Sequence, residues 1–175
     1  MKDIIKPIAV LAGICLVVTA LLAYINSVTS PIITAAETKA AEEARLEVMP
    51  DTKSFDEIPE DILPEGVTEG YIADGGKGYV FMLTTKGYGG DIKLICGILD
   101  DGSITKIKTL SHGETSGIGS RVVDNNSGYS ENFVGKTADT YTEVDSITGA
   151  TISSTAYKKA IESAFDAFGK VKEAK

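Results

Sequence analysis

The chain has no tryptophan, two cysteines and one histidine among its 175 residues. That set cannot build a cysteine-rich iron–sulfur centre or a four-ligand structural zinc site, so no metal site is expected. A mechanism with a histidine base would have to use His112. Basic residues are also scarce: 17 Lys and Arg stand against 25 Asp and Glu, a net charge of −8. An acidic chain is poorly suited to a phosphate backbone, so nucleic acid is not an expected partner. No catalytic side chain stands out. Difficult chemistry in such a chain has to be borrowed from a cofactor.

What the sequence does contain begins with a long apolar run. No residue from Pro7 to Ala36 is charged, and the centre, Ile8 to Ile25, reads IAVLAGICLVVTALLAYI. About 20 apolar residues span a bilayer core, so residues 7–28 are expected to form one transmembrane helix. The rival is a secretory signal, whose apolar part runs about 7–15 residues and ends in a small-residue cleavage site. This run is longer and no clean site follows it. Lys2 and Lys6 favour a cytoplasmic tail over residues 1–6, which puts the rest of a single-pass chain outside the cytoplasmic membrane. Without Lys2, Asp3 and Lys6 that outer part holds 15 basic and 24 acidic residues, a net charge of −9. Cys15 falls in the span and Cys96 in an expected strand, so no disulfide is expected; both read as small buried hydrophobes.

Residues 29–50 read as a helical stalk. Pro31 suits a first helical turn, and PIITAAETKAAEEARLEV has good helix propensity, ending near Met49-Pro50. The apolar stripe is thin, as expected for a solvated stalk or one that leans on a partner. Residues 51–175 read as one outer domain. The acidic stretch 51–70, with Pro59 and Pro64, reads as loop, and strand signals begin at Tyr71. Gly78–Leu83 and Ile92–Leu99 are apolar runs, and Asp100-Asp101-Gly102-Ser103 is a hairpin turn signal. Ile104–Leu110 alternates only in part, with Ile104 and Leu110 on one face and Ile107 on the other. Residues 113–128 read as Gly-rich loop with one short helix. Ala156, Ala160, Ile161, Ala164, Phe165 and Phe168 recur at helical spacing, with Ser153 or Ser154 as N-cap and Gly169 as a stop signal. The expected fold is α+β: a transmembrane helix and stalk, then an antiparallel sheet packed by a C-terminal helix.

Just before that helix stands Asp145-Ser146-Ile147-Thr148-Gly149-Ala150-Thr151-Ile152-Ser153-Ser154. Hydroxyl residues around a glycine at a helix start form either a capping cluster or a place for a phosphate, because free N–H groups and the helix dipole point out there.

Asp145-Ser146-Ile147-Thr148-Gly149-Ala150-Thr151 resembles the flavinylation motif of the FMN-binding domain family, Asp-x-x-(Ser/Thr)-Gly-Ala-Thr. In that family a flavin transferase places the FMN part of FAD on the hydroxyl of the last Thr. The resemblance therefore implies covalent FMN on Thr151. It also implies that Asp145, Thr148, Gly149 and Ala150 are read by the transferase or pack around the phosphate. Two further segments are similar. Gly87-Tyr88-Gly89-Gly90 looks like the family's strand entry. His112-Gly113-Glu114-Thr115-Ser116-Gly117-Ile118-Gly119 looks like its His-x-Glu-Thr-Pro-Gly-Leu-Gly loop, with Ser116 for Pro and Ile118 for Leu. That loop lies against the flavin ring in the family, which implies pocket roles for Glu114, Thr115, Gly117, Ile118 and Gly119. His112 reads as a loop hydrogen-bonding residue, because no reactive partner is evident. No single tyrosine among 71, 79, 88, 129, 141 and 157 is singled out as a flavin stacker.

With one span in front, the layout is similar to that of the covalent-FMN component of Rnf-type ferredoxin–NAD oxidoreductases, which translocate Na⁺ or H⁺. This implies multi-span and iron–sulfur subunits as partners, a flavin transferase during maturation, and redox activity that belongs to the complex. Two alternatives stay open on sequence: a free-standing anchored flavoprotein, and a non-redox scaffold in which the threonine-rich turn is only a cap.

Overall fold

The computed structural model describes residues 2–174, with side chains from residue 5 onward. Residue 1 and the side chains of residues 2–4, on which most of the expected cytoplasmic tail falls, lie outside the described residues. The chain forms two compact units that divide between Ala40 and Ala41.

The described residues of the first unit are all helical. Helix α1 runs from Lys2 to Val48, so the stalk helix runs on from the apolar segment, with Pro31 inside it. A proline inside a helix forfeits one backbone hydrogen bond. Here Thr34 Oγ1 donates to the Ser30 carbonyl at 3.1 Å, a local bond alongside the proline. The apolar side chains are exposed: Ile8 is 60%, Leu16 71% and Leu22 61% accessible. An 18-residue window of mean hydropathy 2.7 makes this helix long and apolar enough to cross a membrane.

The second unit, from Ala41, is built on a five-stranded antiparallel sheet in the order β1-β2-β3-β4-β5. The strands are β1 Phe55–Glu57, β2 Val67–Ala73, β3 Gly78–Lys86, β4 Asp91–Leu99 and β5 Ile104–His112. Two strands lie at least partly in the stretch expected as loop: β1 wholly, and the start of β2. Gly70 explains why an acidic, proline-bearing segment still joins the sheet. A Cβ there would come within 3.0 Å of Leu63 and 3.1 Å of Ile58, so its bare backbone admits both side chains. The hairpin at Asp100–Ser103 forms as expected. Gly102 has φ +86°, and Asp101 Oδ1 accepts the Ser103 N–H at 2.9 Å.

Alternation sends the two faces of the sheet to different cores. Tyr79, Phe81, Leu83, Ile92, Leu94, Cys96 and Ile98 face helix α3, which spans Thr151–Glu173. Ile107 joins Ile104 on this face, contrary to the expected alternation. The register of β5 against β4 slips between Gly97 and Ile98, and this bulge reverses the phase after Ile104. Leu110 packs on the opposite face with Val80, Ile95, Tyr71 and Met82.

That opposite face is covered by the last turns of α1. Ala44 and Val48 are fully buried there, so the end of the segment expected as solvated stalk is part of the domain's core. Thr105 Oγ1 donates to the Val48 carbonyl at 2.7 Å. A Cβ on Gly97 would lie 2.8 Å from that same carbonyl oxygen, so the helix end sits directly on bare β4 backbone. Glu47 pairs with Lys106 at 2.7 Å and also with Lys108. Helix α3 likewise runs past its expected stop at Gly169, because Ala167 and Val171 are buried and Lys172 holds Asp100 at 3.1 Å.

Candidate functional site

The antiparallel pairing of β4 and β5 decides where the site forms. Ile92 pairs with His112, so the loop before β4 and the loop after β5 meet at one end of the sheet. Both loops are glycine-rich, and their backbones touch. The Gly113 N–H donates to the Asp91 carbonyl at 3.2 Å, and a Cβ on Gly89 would lie 2.3 Å from the Gly113 oxygen. No side chain fits between them, which accounts for glycine at that contact.

Glu114 ties these loops to α3. It is only 9% accessible. Its Oε1 accepts the Tyr88 N–H at 2.7 Å and the Gly89 N–H at 3.3 Å, and its Oε2 accepts the Ser153 hydroxyl at 2.7 Å. A Cβ on Gly87 would fall 1.9 Å from Oε1, and one on Gly119 would fall 2.0 Å from Oε2. Two glycines from two loops therefore make the slot that the carboxylate fills. Among the described residues Glu114 has no cationic partner. His112 steadies the same loop: its Nδ1 accepts the Glu114 N–H at 3.3 Å, and its Nε2 lies 3.8 Å from Asp124.

The end of the sheet and the start of α3 enclose a cavity of about 430 Å³. Its walls include Glu114, Thr115, Ile118, Gly119, Gly149, Ala150 and Thr151, drawn from two of the three segments singled out in sequence. Tyr88, from the third, lines it as well, whereas Tyr71, Tyr79, Tyr129, Tyr141 and Tyr157 do not. Tyr88, Ile118 and Ile152 are 70%, 53% and 57% accessible. Large apolar side chains exposed together at one cavity, beside a few polar groups, are what a planar organic ligand requires.

Thr151 opens α3. Gly149, with φ +84°, turns the chain into the helix, and Ala150 is the cap residue with no side-chain cap bond. The expected caps are inside the helix instead. Ser153 binds Glu114, and Ser154 Oγ accepts the Ile147 N–H at 3.1 Å. The Thr151 side chain is exposed, and its hydroxyl makes no hydrogen bond with the described residues. It lines a second groove too, of about 350 Å³, with Thr85, Lys86, Thr155 and Lys159. Thr151 thus stands between an apolar cavity and a groove bearing two lysines and further hydroxyls.

Three of the sequence-selected residues lie apart from the cavity walls. Asp145 is exposed and lines a separate, polar cavity of about 560 Å³ with Asn132, Lys136 and Glu143. Thr148 is exposed and Gly117 makes a turn with φ +78°; neither lines the cavity at Thr151. Sequence reasoning missed Ser153 as a partner of Glu114, and it missed Lys86 and Lys159. Ser153 lies two residues past Thr151, but a buried acid's donor is visible only once the fold pairs them.

The FMN-binding domain family matches residues 87–166, a span that opens on the glycine loop and includes all three motifs. Similarity to curated proteins extends further. The G subunit of the ion-translocating oxidoreductase complex of Methanosarcina acetivorans is 32% identical over 179 residues, covering 94% of each chain. The chain belongs to this G-subunit family. The corresponding G subunit of Shewanella baltica is 37% identical over 89 residues, a match that spans 45% of this chain and less than half, 42%, of that relative. Among solved structures, the C subunit of the Na⁺-translocating NADH–quinone reductase of Parabacteroides distasonis aligns at 19% identity. Its TM-score is 0.44, over 59% of this chain and 60% of that one.

Proposed function

We propose that this chain is a membrane-anchored electron-transfer subunit of an ion-translocating oxidoreductase complex, with FMN held covalently through a phosphoester on Thr151. The setting of Thr151 carries the reading: a free, exposed hydroxyl on the first turn of α3, between an apolar cavity and a two-lysine groove. The family match and the relatives named as G subunits support it. The residues present fit FMN. A cavity of about 430 Å³ lies in the range of small-molecule sites, about 300–1,000 Å³. When bound, FMN supplies the electron-carrying ring. Tyr88, Ile118 and Ile152 offer that ring apolar surface and keep water from it. Lys86, Lys159 and the free N–H groups at the start of α3 suit the negative phosphate. In maturation Thr151 Oγ would bond to the flavin-side phosphorus of FAD as the P–O bond to the adenylate half breaks, with AMP leaving and the hydroxyl proton passing to solvent. A separate flavin transferase performs this transfer.

The rest of the reading concerns the setting. Residues 7–28 span the cytoplasmic membrane, with residues 1–6 in the cytoplasm and the FMN domain outside. Covalent attachment suits that side, where free FMN would be lost. The partners are the multi-span and iron–sulfur subunits of an Rnf-type complex coupled to Na⁺ or H⁺ translocation, and redox turnover belongs to the assembled complex. The test is co-expression with a flavin transferase, followed by ultraviolet imaging of a denaturing gel. A fluorescent band that disappears in Thr151→Ala supports the proposal. A dark wild-type band, or a fluorescent Thr151→Ala band, refutes it.

A further inference from the structure

Glu114 is a buried acid with an unusual balance around it. Three donors reach its two oxygens, and all three are neutral: the N–H groups of Tyr88 and Gly89, and the Ser153 hydroxyl. No Lys or Arg pairs with it among the described residues. It lines the cavity beside Thr151 and is 9% accessible. Lys86 and Lys159 lie in the neighbouring groove, are exposed, and are screened by water and salt. A charge behind the cavity wall is screened far less, because the effective dielectric is lower there. Glu114 is the one acid among the residues that line the cavity, and no Lys or Arg stands among them.

We infer that Glu114 sets the reduction potential of the flavin, holding it low. This rests on the FMN reading above. A carboxylate fixed against the cavity opposes the arrival of an electron on whatever occupies it, and a flavin's potential follows the charge placed near its ring. The glycines at 87 and 119 serve this role, since any side chain there would expel the carboxylate from its slot. The loop's hydrogen bonds alone would be met equally well by a neutral residue. Gln at 114 has such a geometry: its carbonyl oxygen accepts the two backbone N–H groups, and its amide donates to Ser153 Oγ, which accepts as readily as it donates.

The test uses full-length protein carrying covalent flavin and reads the midpoint potential by spectroelectrochemical titration. Glu114→Gln keeps the shape and removes the charge. It is expected to move the potential positive by at least a tenfold change in the reduced-to-oxidised equilibrium, about 59 mV for one electron. Ser153→Ala keeps the charge and removes a neutral donor, and is expected to move the potential negative. Opposite signs in the two variants distinguish a charge effect from general disturbance of the pocket, and Ser153→Ala keeps the test decisive if Glu114→Gln fails to fold. An unchanged potential, or shifts of the same sign, with flavin still attached, overturns the role of Glu114. Absence of covalent flavin from the wild-type protein overturns the FMN reading itself.

Discussion

Replacing Val48 by Ala tests whether the end of α1 is a core element of the outer domain. Val48 is fully buried against Ala44, Ala73, Val80 and Ile95. Two methyl groups are lost, worth about 0.8 kcal/mol each in transfer free energy. A cavity term adds to this, because the surrounding sheet is held by paired strands and relaxes little. The expected loss is about 2–3 kcal/mol, within the usual range for core truncations. For a unit of this size that lowers the melting temperature by roughly 5–12 °C. Circular dichroism of the full chain in detergent measures it. The control is Leu46→Ala, two residues away and 52% accessible, expected to change stability by less than about 0.5 kcal/mol. Equal melting temperatures for the two variants would refute the packing of α1 on the sheet and restore a solvated stalk.

Three further outcomes follow from particular contacts. Ser153→Ala deprives the buried Glu114 carboxylate of one donor and is expected to cost about 1.5–3 kcal/mol, whereas Thr155→Ala on the exposed side of α3 changes little; urea titration compares them. Burial pushes the Cys96 thiol up to about 12, so iodoacetamide at mildly alkaline pH should label Cys96 only as the domain unfolds; labelling at the rate of an exposed thiol would contradict its burial. Asp74 accepts the Lys53 and Ser54 N–H groups, which hold its carboxyl below its ordinary 3.8. Its contribution is thus present above 3.8 and lost as pH falls through the lower, folded value; Asp74→Asn should flatten the acid limb of an unfolding curve, and an unchanged limb would count against the pairing.

Much of this architecture is legible in the residues. The apolar run from Ile8, the hairpin at Asp100–Ser103 and the helical spacing of Ala160, Ala164 and Phe165 each report a local preference with one strong reading. The misread positions are those decided by tertiary contacts. Ile107 changes face because a bulge, invisible in the pattern, reverses the strand's phase. Val48 looks like part of a polar helix because the apolar stripe it completes is only two turns long. Gly169 looks like a stop, yet Val171 beyond it has a place in the core. At the site, the motifs locate Thr151 and the two glycine loops. What they do not show is that Glu114 joins them, since residues 88 and 114 meet through the pairing of β4 with β5, and residue 153 reaches them through the packing of α3 on the sheet. Nor do they show that Asp145, inside the same motif as Thr151, lines a different cavity.

The central claim is that Thr151 carries FMN. Protein co-expressed with a flavin transferase, digested and analysed by tandem mass spectrometry, tests it most directly. The expected result is the mass of FMN, less one water, on the peptide containing Asp145–Thr151, with fragment ions placing it on Thr151. A bare peptide, or FMN on Thr148 or any other residue, would contradict it.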